Sequence, residues 1–216
     1  MKRIKSTPTR IYNEVKAEQF LSKYLKISNG KLTKKADGAL EFAKKNYPLT
    51  LKLISDELLH KSSVNGVRIV NNEQELIKNY DELLKLAKQK KLKLDGILVK
   101  EYVRGKSIII GGKKDTTFGP IVLFGDGGIY TEVLKDFSLR ICPLDIKDIN
   151  EMIKETKVHS TLNNSELKHV ANAISKVNEV MVKHPEISEL DINPLIVNDK
   201  NAFVVDARII MNYPSG

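Results

Sequence analysis

The stretch ELDINPLIVNDKNAFVVDARI, residues 189–209, contains two apolar segments on either side of a polar turn. The turn, residues 198–201, has the Asn and Asp composition that favours chain reversal. The flanking segments have the alternation and the β-branched content of strands. We therefore expect an antiparallel hairpin in which Val197 pairs with Ala202.

This register aligns four polar side chains on one face of the hairpin. Asn193 lies opposite Asp206, and Asp191 lies opposite Arg208 on the same face, because strand side chains alternate with period two. The other face is expected to be apolar and to carry Leu190, Ile192, Val205 and Ile209. An amide oxygen beside a carboxylate is a ligand pair that can hold Mg²⁺ while nucleotide phosphates and water complete its coordination. The alternative is a solvent-exposed face with an Asp191–Arg208 ion pair, and spacing alone favours that alternative.

Apolar periodicity elsewhere predicts a chain of mixed helices and strands. Helices are expected at about residues 11–29, 36–46, 73–90, 145–155 and 165–184. Strands are expected at residues 48–54, 66–70, 97–103, 107–110, 120–124, 137–141, 189–197 and 202–210.

The composition is that of an ordinary globular protein, with 41% hydrophobic and 29% charged residues among 216. The net charge of +9 lies mostly in residues 1–50, where 12 Lys and Arg face 4 Asp and Glu. We do not expect nucleic-acid binding, because this basic region lacks interleaved aromatic residues and zinc-finger or helix-turn-helix spacing; Lys-rich solvated helix faces explain it better. The single Cys142 cannot form an internal disulfide.

No apolar run is long enough to cross a bilayer, and the opening MKRIKSTPTR lacks the apolar core of a signal peptide. We therefore expect a cytoplasmic protein without membrane contact.

The closing hairpin also resembles a known family. The string Glu189-Leu-Asp-Ile-Asn-Pro-Leu, followed by Val204-Val-Asp-Ala-Arg, is similar to the closing motif of the ATP-grasp subunits of ADP-forming acetyl-CoA synthetases, which are related to the succinyl-CoA synthetase β subunit. Five further segments resemble the same family in the same order: Leu51-Lys-Leu-Ile-Ser, Leu58-Leu-His-Lys-Ser, Phe118-Gly-Pro-Ile-Val-Leu-Phe-Gly, Gly127-Gly-Ile-Tyr-Thr-Glu-Val-Leu-Lys-Asp and Leu139-Arg-Ile-Cys-Pro-Leu.

The resemblance extends from about Tyr12 to Met211 and implies an α+β ATP-grasp fold, with two α+β lobes and a nucleotide cleft between them. Residues 1–10 would be a tail, residues 11–103 the first lobe with its N-terminal helices, and residues 104–216 the second lobe.

The resemblance implies roles for the polar residues of the hairpin and for one histidine. Asn193 and Asp206 match the family's Mg²⁺ ligands, and Asp191 matches the acid that orients a phosphorylated histidine. His60 matches a histidine that carries phosphate between distant sites as a covalent intermediate. Most lone histidines have no such role, and only the surrounding Leu-His-Lys-Ser motif supports it.

The resemblance implies nucleotide contacts as well. Lys52 would meet a nucleotide phosphate, although a lone strand lysine is usually unremarkable. Glu101, Tyr102 and Val103 fall at the interlobe hinge that presents backbone groups to adenine and a carboxylate to ribose. Gly125, Gly127 and Gly128 would supply amides for a phosphate cradle, which a tight turn would explain equally well. Glu132 and Arg140 match further catalytic positions of the family pattern.

Three positions depart from the family pattern. Asn65 stands where the family has paired glycines after the histidine motif. Ser107 replaces a carboxylate expected near the nucleotide, and Asp126 places a negative charge in the glycine loop, where it would repel phosphate.

The resemblance implies an ATP/ADP- and Mg²⁺-dependent ligase subunit that couples acyl-CoA cleavage to ATP formation through phosphohistidine. Acyl-CoA would bind through a separate CoA-binding α subunit that carries the primary phosphohistidine, in a heterotetramer. The three departures leave an alternative open, a non-catalytic nucleotide-binding or scaffolding paralogue. The sequence does not decide the acyl group or the choice between ATP and GTP.

Overall fold

The computed structural model describes residues 9–44, 46–57, 66–127 and 136–212. The chain divides into two compact units. The larger unit combines Met1–Ile27 with Arg104–Gly216, and the smaller unit is Ser28–Val103.

Runs of strands are followed by runs of helices in the described part of the chain, which is the pattern of an α+β fold. The strands are β1 (Thr9–Tyr12), β2 (Lys26–Ile27), β3 (Gly30–Thr33), β4 (Leu49–Ile54), β5 (Val67–Val70), β6 (Gly96–Glu101), β7 (Lys106–Asp115), β8 (Gly119–Asp126), β9 (Phe137–Ile141), β10 (Ile187–Val197), β11 (Ala202–Val204) and β12 (Ala207–Asn212). The helices are α1 (Glu14–Leu21), α2 (Ala36–Ala43), α3 (Glu73–Gln89), α4 (Ile146–Lys154) and α5 (Asn164–Lys183), with a 3-10 turn at Lys157–Thr161.

The larger unit is built on an antiparallel sheet in the order β1-β12-β10-β7-β8-β9, and β11 pairs with both β10 and β2. Helix α5 packs against β7 and β8, and helix α4 packs against α5 and β9. Alternate residues of the central strands face these helices and are fully buried: Ile108, Ile110, Val122 and Phe124. The other face of this sheet is therefore available for a site.

Helix α5 is fixed at its start and along its length. Asn163 and Glu166 form a capping box, in which each side chain accepts a hydrogen bond from the other's backbone amide. Farther along, Met181 approaches Gly112 so closely that an added Cβ would lie 2.4 Å from the methionine sulfur. A glycine in β7 therefore sets how closely the helix approaches the sheet.

The smaller unit has a four-stranded antiparallel sheet in the order β3-β6-β4-β5. Helices α2 and α3 cover one face of it. Their buried side chains meet the odd-numbered residues of β4 and β6, namely Leu49, Leu51, Leu53, Ile97 and Val99. The even-numbered residues of both strands point to the opposite face.

The N-terminal part of the chain differs from our expectation. Residues 9 and 10, predicted as tail, belong to β1, which pairs with β12 through Ile11 and Ile210. Residues 11–27, predicted in the first lobe, belong to the larger unit. The reason is that Ala17 and Leu21 of α1 are buried in the core of the larger unit, where they extend its apolar contacts.

Within the described residues no helix is both long and apolar enough to cross a membrane. The last predicted strand, residues 202–210, is divided into β11 and β12. The division lies at Val205 and Asp206, and Asp206 is one of the polar positions that the sequence singled out.

Candidate functional site

The closing hairpin has the register predicted from its turn. Val197 pairs with Ala202, and Asp191 pairs with Arg208. Between these pairs, the amide of Asn193 donates a hydrogen bond of 3.1 Å to the carbonyl of Asp206. The backbones of the two candidate Mg²⁺ ligands are therefore direct neighbours.

Regular pairing is interrupted at these two residues. The carbonyl of Pro194 accepts from the amides of Val205 and Asp206 at 3.2 and 3.4 Å. On the other side of β10, pairing with β7 shifts register between Ile192 and Leu195. Because Pro194 has no amide hydrogen, it cannot continue the ladder itself. Bulges of this kind re-aim side chains and are common beside functional sites.

The interruption also corrects one prediction about the apolar face. Val205, expected to be buried beside Ile209, is only half-buried, whereas Val204 is fully buried. In β10 the buried positions change from even-numbered, as at Ile192, to odd-numbered, as at Leu195. The same change occurs from Val204 to Ala207, because both strands leave regular pairing here. A strictly alternating strand model could not anticipate this change.

We call the face of the larger sheet that points away from the helices the site face. Asp191 and Arg208 lie on it, and both are half-buried. The row continues across neighbouring strands through Gly111 on β7, Leu123 on β8 and Leu139 on β9. Directly opposed residues of antiparallel strands share one face, so these five positions lie side by side.

The oxygen atoms of Asn193 and Asp206 could hold Mg²⁺ only together with further ligands. Asn193 is exposed and Asp206 is half-buried, so an amide oxygen and a carboxylate can both reach solvent or a ligand. In the described part of the chain, no three His, Cys, Asp or Glu side chains are grouped closely enough to hold a metal by themselves. Mg²⁺ often keeps one or two protein ligands and takes the rest from phosphate and water, which fits this pair.

The smaller unit places two lysines on one sheet face. Lys52 is 4% exposed, and Lys100 is fully buried. Lys52 lies opposite Leu98, and Lys100 lies opposite Thr50, so both side chains leave the sheet on the face away from α2 and α3. The sequence reasoning missed Lys100, although a lysine directly after three apolar residues of a strand is a usable signal.

Two of the three predicted hinge residues already use their backbone amides in hydrogen bonds. The amide of Glu101 donates to the carbonyl of Asn29 at 2.9 Å, and the amide of Tyr102 donates to the carbonyl of Pro48 at 3.3 Å. The Asn29 side chain donates to the Glu101 carboxylate at 3.2 Å. Of these three backbone amides, only that of Val103 has no acceptor among the described residues. The carboxylate of Glu101 is exposed and held in position.

In the described part of the glycine loop, the amides of Asp126 and Gly127 already make backbone hydrogen bonds. The amide of Gly127 donates to the carbonyl of Ser107 at 3.2 Å, and the Ser107 hydroxyl donates to the carbonyl of Gly127 at 2.9 Å. An added Cβ would lie 2.4 Å from the Asp136 carbonyl oxygen at Gly125 and 2.5 Å from Ile108 at Gly127. Close backbone packing therefore explains both glycines. The amide of Asp126 is also occupied, by the carbonyl of Asp136 at 3.3 Å.

Arg140 is held by an ion pair rather than left free for a ligand. Its guanidinium group donates to Glu155, the C-cap residue of α4, and, at 3.0 Å, to the hydroxyl of Ser138. The hydrogen bond with Glu155 raises the pKa of Arg140. The same bond, together with one from Ser138, lowers the pKa of Glu155. Arg140 also lies on the helix-facing side of β9, away from the site face.

Four residues of the sequence hypothesis lie outside the described residues. They are His60, Asn65, Gly128 and Glu132. Their predicted roles therefore stay predictions.

Comparison with known proteins gives consistent matches over most of the chain. A family model described as ATP-grasp domain matches residues 3–211. The β subunit of acetate–CoA ligase [ADP-forming] I from Pyrococcus furiosus is 33% identical over 210 residues, which cover 92% of this chain and 90% of that subunit. Acetate–CoA ligase [ADP-forming] I from Archaeoglobus fulgidus is 35% identical over 190 residues, covering 83% of this chain but 28% of that protein.

Solved structures of acetyl-coenzyme A synthetase 1 from Ca. Korarchaeum cryptofilum agree with these matches. A complex with coenzyme A, Ca-AMPCP and HgCl+ superposes with a TM-score of 0.88 at 34% identity, covering 94% of each chain. In a complex with coenzyme A and Mg-AMPPCP, with a TM-score of 0.79, 32% identity and coverage of 94% and 93%, the phosphohistidine segment of that enzyme points towards its nucleotide-binding site.

Proposed function

Because this chain belongs to the ATP-grasp family, in its branch of ADP-forming acetate–CoA ligase β subunits, we propose that it is the nucleotide-binding subunit of an ADP-forming acyl-CoA synthetase. In this reaction inorganic phosphate would attack the thioester of acyl-CoA and release coenzyme A, a histidine would take the phosphoryl group from the acyl phosphate and release the acid, and ADP would take the group from the histidine. Coenzyme A, the free acid and ATP are the products.

The observation that carries this proposal is the backbone pairing of Asn193 with Asp206, two residues along β10 from Asp191. Their backbones are joined by a 3.1 Å hydrogen bond, and their side chains offer two hard oxygen ligands. Mg²⁺ bound there would neutralise phosphate charge on the nucleotide. Asp191 would accept a hydrogen bond from the far ring nitrogen of a phosphorylated imidazole, which fixes its tautomer.

Residues of the smaller unit support nucleotide binding. Lys52 and Lys100 are buried on the same sheet face. We propose that both contribute positive charge for the polyphosphate. The Val103 amide would serve the base, and the Glu101 carboxylate, oriented by Asn29, would accept from ribose hydroxyls.

A partner subunit is part of the proposal. The Archaeoglobus relative carries the matching segment as 28% of one longer protein, whereas the Pyrococcus relative is a separate β subunit of similar length to this chain. We propose that a CoA-binding α subunit supplies the acyl-CoA site and the primary phosphohistidine, in a heterotetramer. His60 would relay the phosphoryl group to the nucleotide.

One observation favours the alternative of a non-catalytic paralogue. Ser107 stands where the resembled family has a carboxylate, and its hydroxyl donates a hydrogen bond to the carbonyl of Gly127. This hydrogen bond holds Gly127 but supplies no negative charge. A subunit with this change could bind nucleotide and partner without turnover.

The test is ATP formation by the chain mixed with its CoA-binding subunit, given acetyl-CoA, ADP and phosphate. The proposal predicts ATP formation that requires both subunits and that Asp206→Ala abolishes. The matched control is Glu189→Ala, which removes a carboxylate two residues from Asp191 on the same strand face. ATP binding without ATP formation by the complete complex would instead support the non-catalytic paralogue.

A further inference from the structure

Asn29 and Gly30 form an exposed Asn-Gly pair at the start of β3. In such a pair the backbone nitrogen of the glycine can attack the side-chain amide carbon of the asparagine, because no glycine side chain obstructs the approach. The sequence contains one other Asn-Gly pair, at residues 65–66, of which Asn65 lies outside the described residues. Among the described residues, Asn29 is therefore the asparagine with this neighbour.

The backbone amide of Gly30 points away from the hydrogen-bond ladder. β3 is an edge strand, and β6 is its partner in the sheet. The amide of Glu101 donates to the carbonyl of Asn29, and the residues of an antiparallel strand bond to one neighbour only at every second position. Gly30, which lies opposite Lys100, therefore directs its amide towards the open edge. Because Asn29 and Gly30 are both exposed, water reaches the two groups that would react.

Close packing explains why a glycine follows Asn29. A Cβ at Gly30 would lie 2.8 Å from Cγ of Lys100 and 3.1 Å from the carbonyl oxygen of Val99. Lys100 is fully buried, so its side chain has little space into which it could move. The neighbouring strand thus excludes a larger residue at position 30, which would slow the attack on Asn29.

Asn29 positions a carboxylate of the proposed nucleotide site. Its side-chain amide donates to the Glu101 carboxylate at 3.2 Å, and its backbone carbonyl accepts from the Glu101 amide at 2.9 Å. Conversion of the side-chain amide to a carboxylate would remove the donor and place two negative charges side by side. An isoaspartate at this position would also add one methylene group to the main chain beside the carbonyl that holds Glu101.

We propose that Asn29 is a site of spontaneous deamidation that lowers the nucleotide affinity of the chain as it ages. A bond forms between the Gly30 nitrogen and Cγ of Asn29, and the bond from Cγ to the side-chain nitrogen breaks. Ammonia leaves with the proton of the Gly30 amide, and a five-membered succinimide ring remains. Water then opens the ring at either carbonyl and yields aspartate or isoaspartate. The effect on affinity rests on the proposed function, in which Glu101 accepts from ribose.

Peptide mapping by mass spectrometry tests the chemistry after incubation of the full-length chain at mildly alkaline pH. The proposal predicts that the Asn29 peptide gains the mass of an amide-to-acid exchange and that part of the product is isoaspartate. The control in the same digest is Asn79, which precedes Tyr80 within α3 and donates to the carbonyl of Glu75. Asn79 should stay unmodified. An Asn29 peptide that remains unmodified throughout the incubation would overturn the proposal.

Calorimetry of Mg²⁺-ATP binding tests the consequence, with Asn65→Gln in every protein so that the other Asn-Gly pair does not contribute. Asn29→Asp should weaken binding about two- to fivefold, the range expected for repulsion between exposed charges. Incubation should likewise weaken binding by the parent protein. It should not change the affinity of Asn29→Gln, because the longer side chain disfavours the five-membered ring.

Two results would overturn the effect on affinity. One is Asn29→Asp with the affinity of its parent, and the other is an equal loss of affinity on incubation of the parent and Asn29→Gln. A freshly prepared parent that binds no ATP would contradict the proposed function and, with it, the effect on affinity. Deamidation at Asn29 itself is decided by the peptide mapping alone, so the two failures are distinguishable.

Discussion

The amide of Asn193 donates a 3.1 Å hydrogen bond to the carbonyl of Asp206 where both strands of the closing hairpin leave regular pairing. This backbone hydrogen bond joins the two candidate metal ligands without involving either side chain. Substitution of each side chain therefore tests ligand binding without removing this contact.

Substitution of Gly127 in the glycine loop is expected to lower the free energy of unfolding. In Gly127→Ala the new Cβ would overlap the Ile108 backbone, 2.5 Å away, and overpacking of this kind costs roughly 1–3 kcal/mol. Urea unfolding of the isolated chain measures this loss. Gly111→Ala is the control, because its Cβ would have no neighbour closer than 3.4 Å. Unchanged stability together with lost nucleotide binding in Gly127→Ala would instead support the phosphate-cradle prediction.

The Arg140–Glu155 pair should contribute to stability in a pH-dependent way. The hydrogen bond from Arg140, with that from Ser138, lowers the folded-state pKa of Glu155 below its ordinary value. The contribution is therefore present above the unfolded-state pKa, about 4.3 for Glu, and is lost as the pH falls through the lower folded-state value. Since Glu155 is half-exposed, we expect a coupling of at most about 1 kcal/mol at neutral pH.

A double-mutant cycle of Arg140→Gln and Glu155→Gln, measured by urea unfolding at pH 7 and pH 3, checks this expectation. The same variants test whether Arg140 has a catalytic role. If its role is to hold β9 to α4, both single variants should retain most of the ATP-forming activity. Loss of activity in Arg140→Gln alone would contradict the structural role.

The sequence predicted the hairpin register because a short polar turn between two alternating segments leaves few ways to pair them. The pairing of Asp191 with Arg208 confirmed it. The same reasoning placed Val205 wrongly, since strict alternation does not allow for the bulge at Pro194. Local pattern thus predicts which residues meet, but not where a ladder is interrupted.

Residues whose role depends on distant contacts were harder to predict. Nothing near Arg140 in the sequence indicates that Glu155 pairs with it, because the two lie on different elements. The assignment of residues 11–27 to the larger unit depends in the same way on β1 pairing with β12, almost 200 positions later. Lys100 could have been found because it directly follows three apolar residues of β6.

His60 provides a prediction that separates binding from phosphate transfer. His60→Ala should leave Mg²⁺-ATP binding unchanged, because the proposed ligands and lysines remain. It should abolish ATP formation from acetyl-CoA, ADP and phosphate, since the relay lacks its nucleophile. Steady-state assays of the two-subunit complex measure this loss, with His169→Ala as a control that removes a histidine on helix α5. Full activity in His60→Ala would rule out the relay.

Calorimetry of Mg²⁺-dependent ATP binding tests the central claim most directly, because it requires only the isolated chain. The account predicts saturable binding that depends on Mg²⁺, is lost in Asp206→Ala, is weakened in Asn193→Ala and persists in Glu189→Ala. Equal ATP binding by the wild type and Asp206→Ala, with or without Mg²⁺, would contradict the assignment of the hairpin as the metal–nucleotide site.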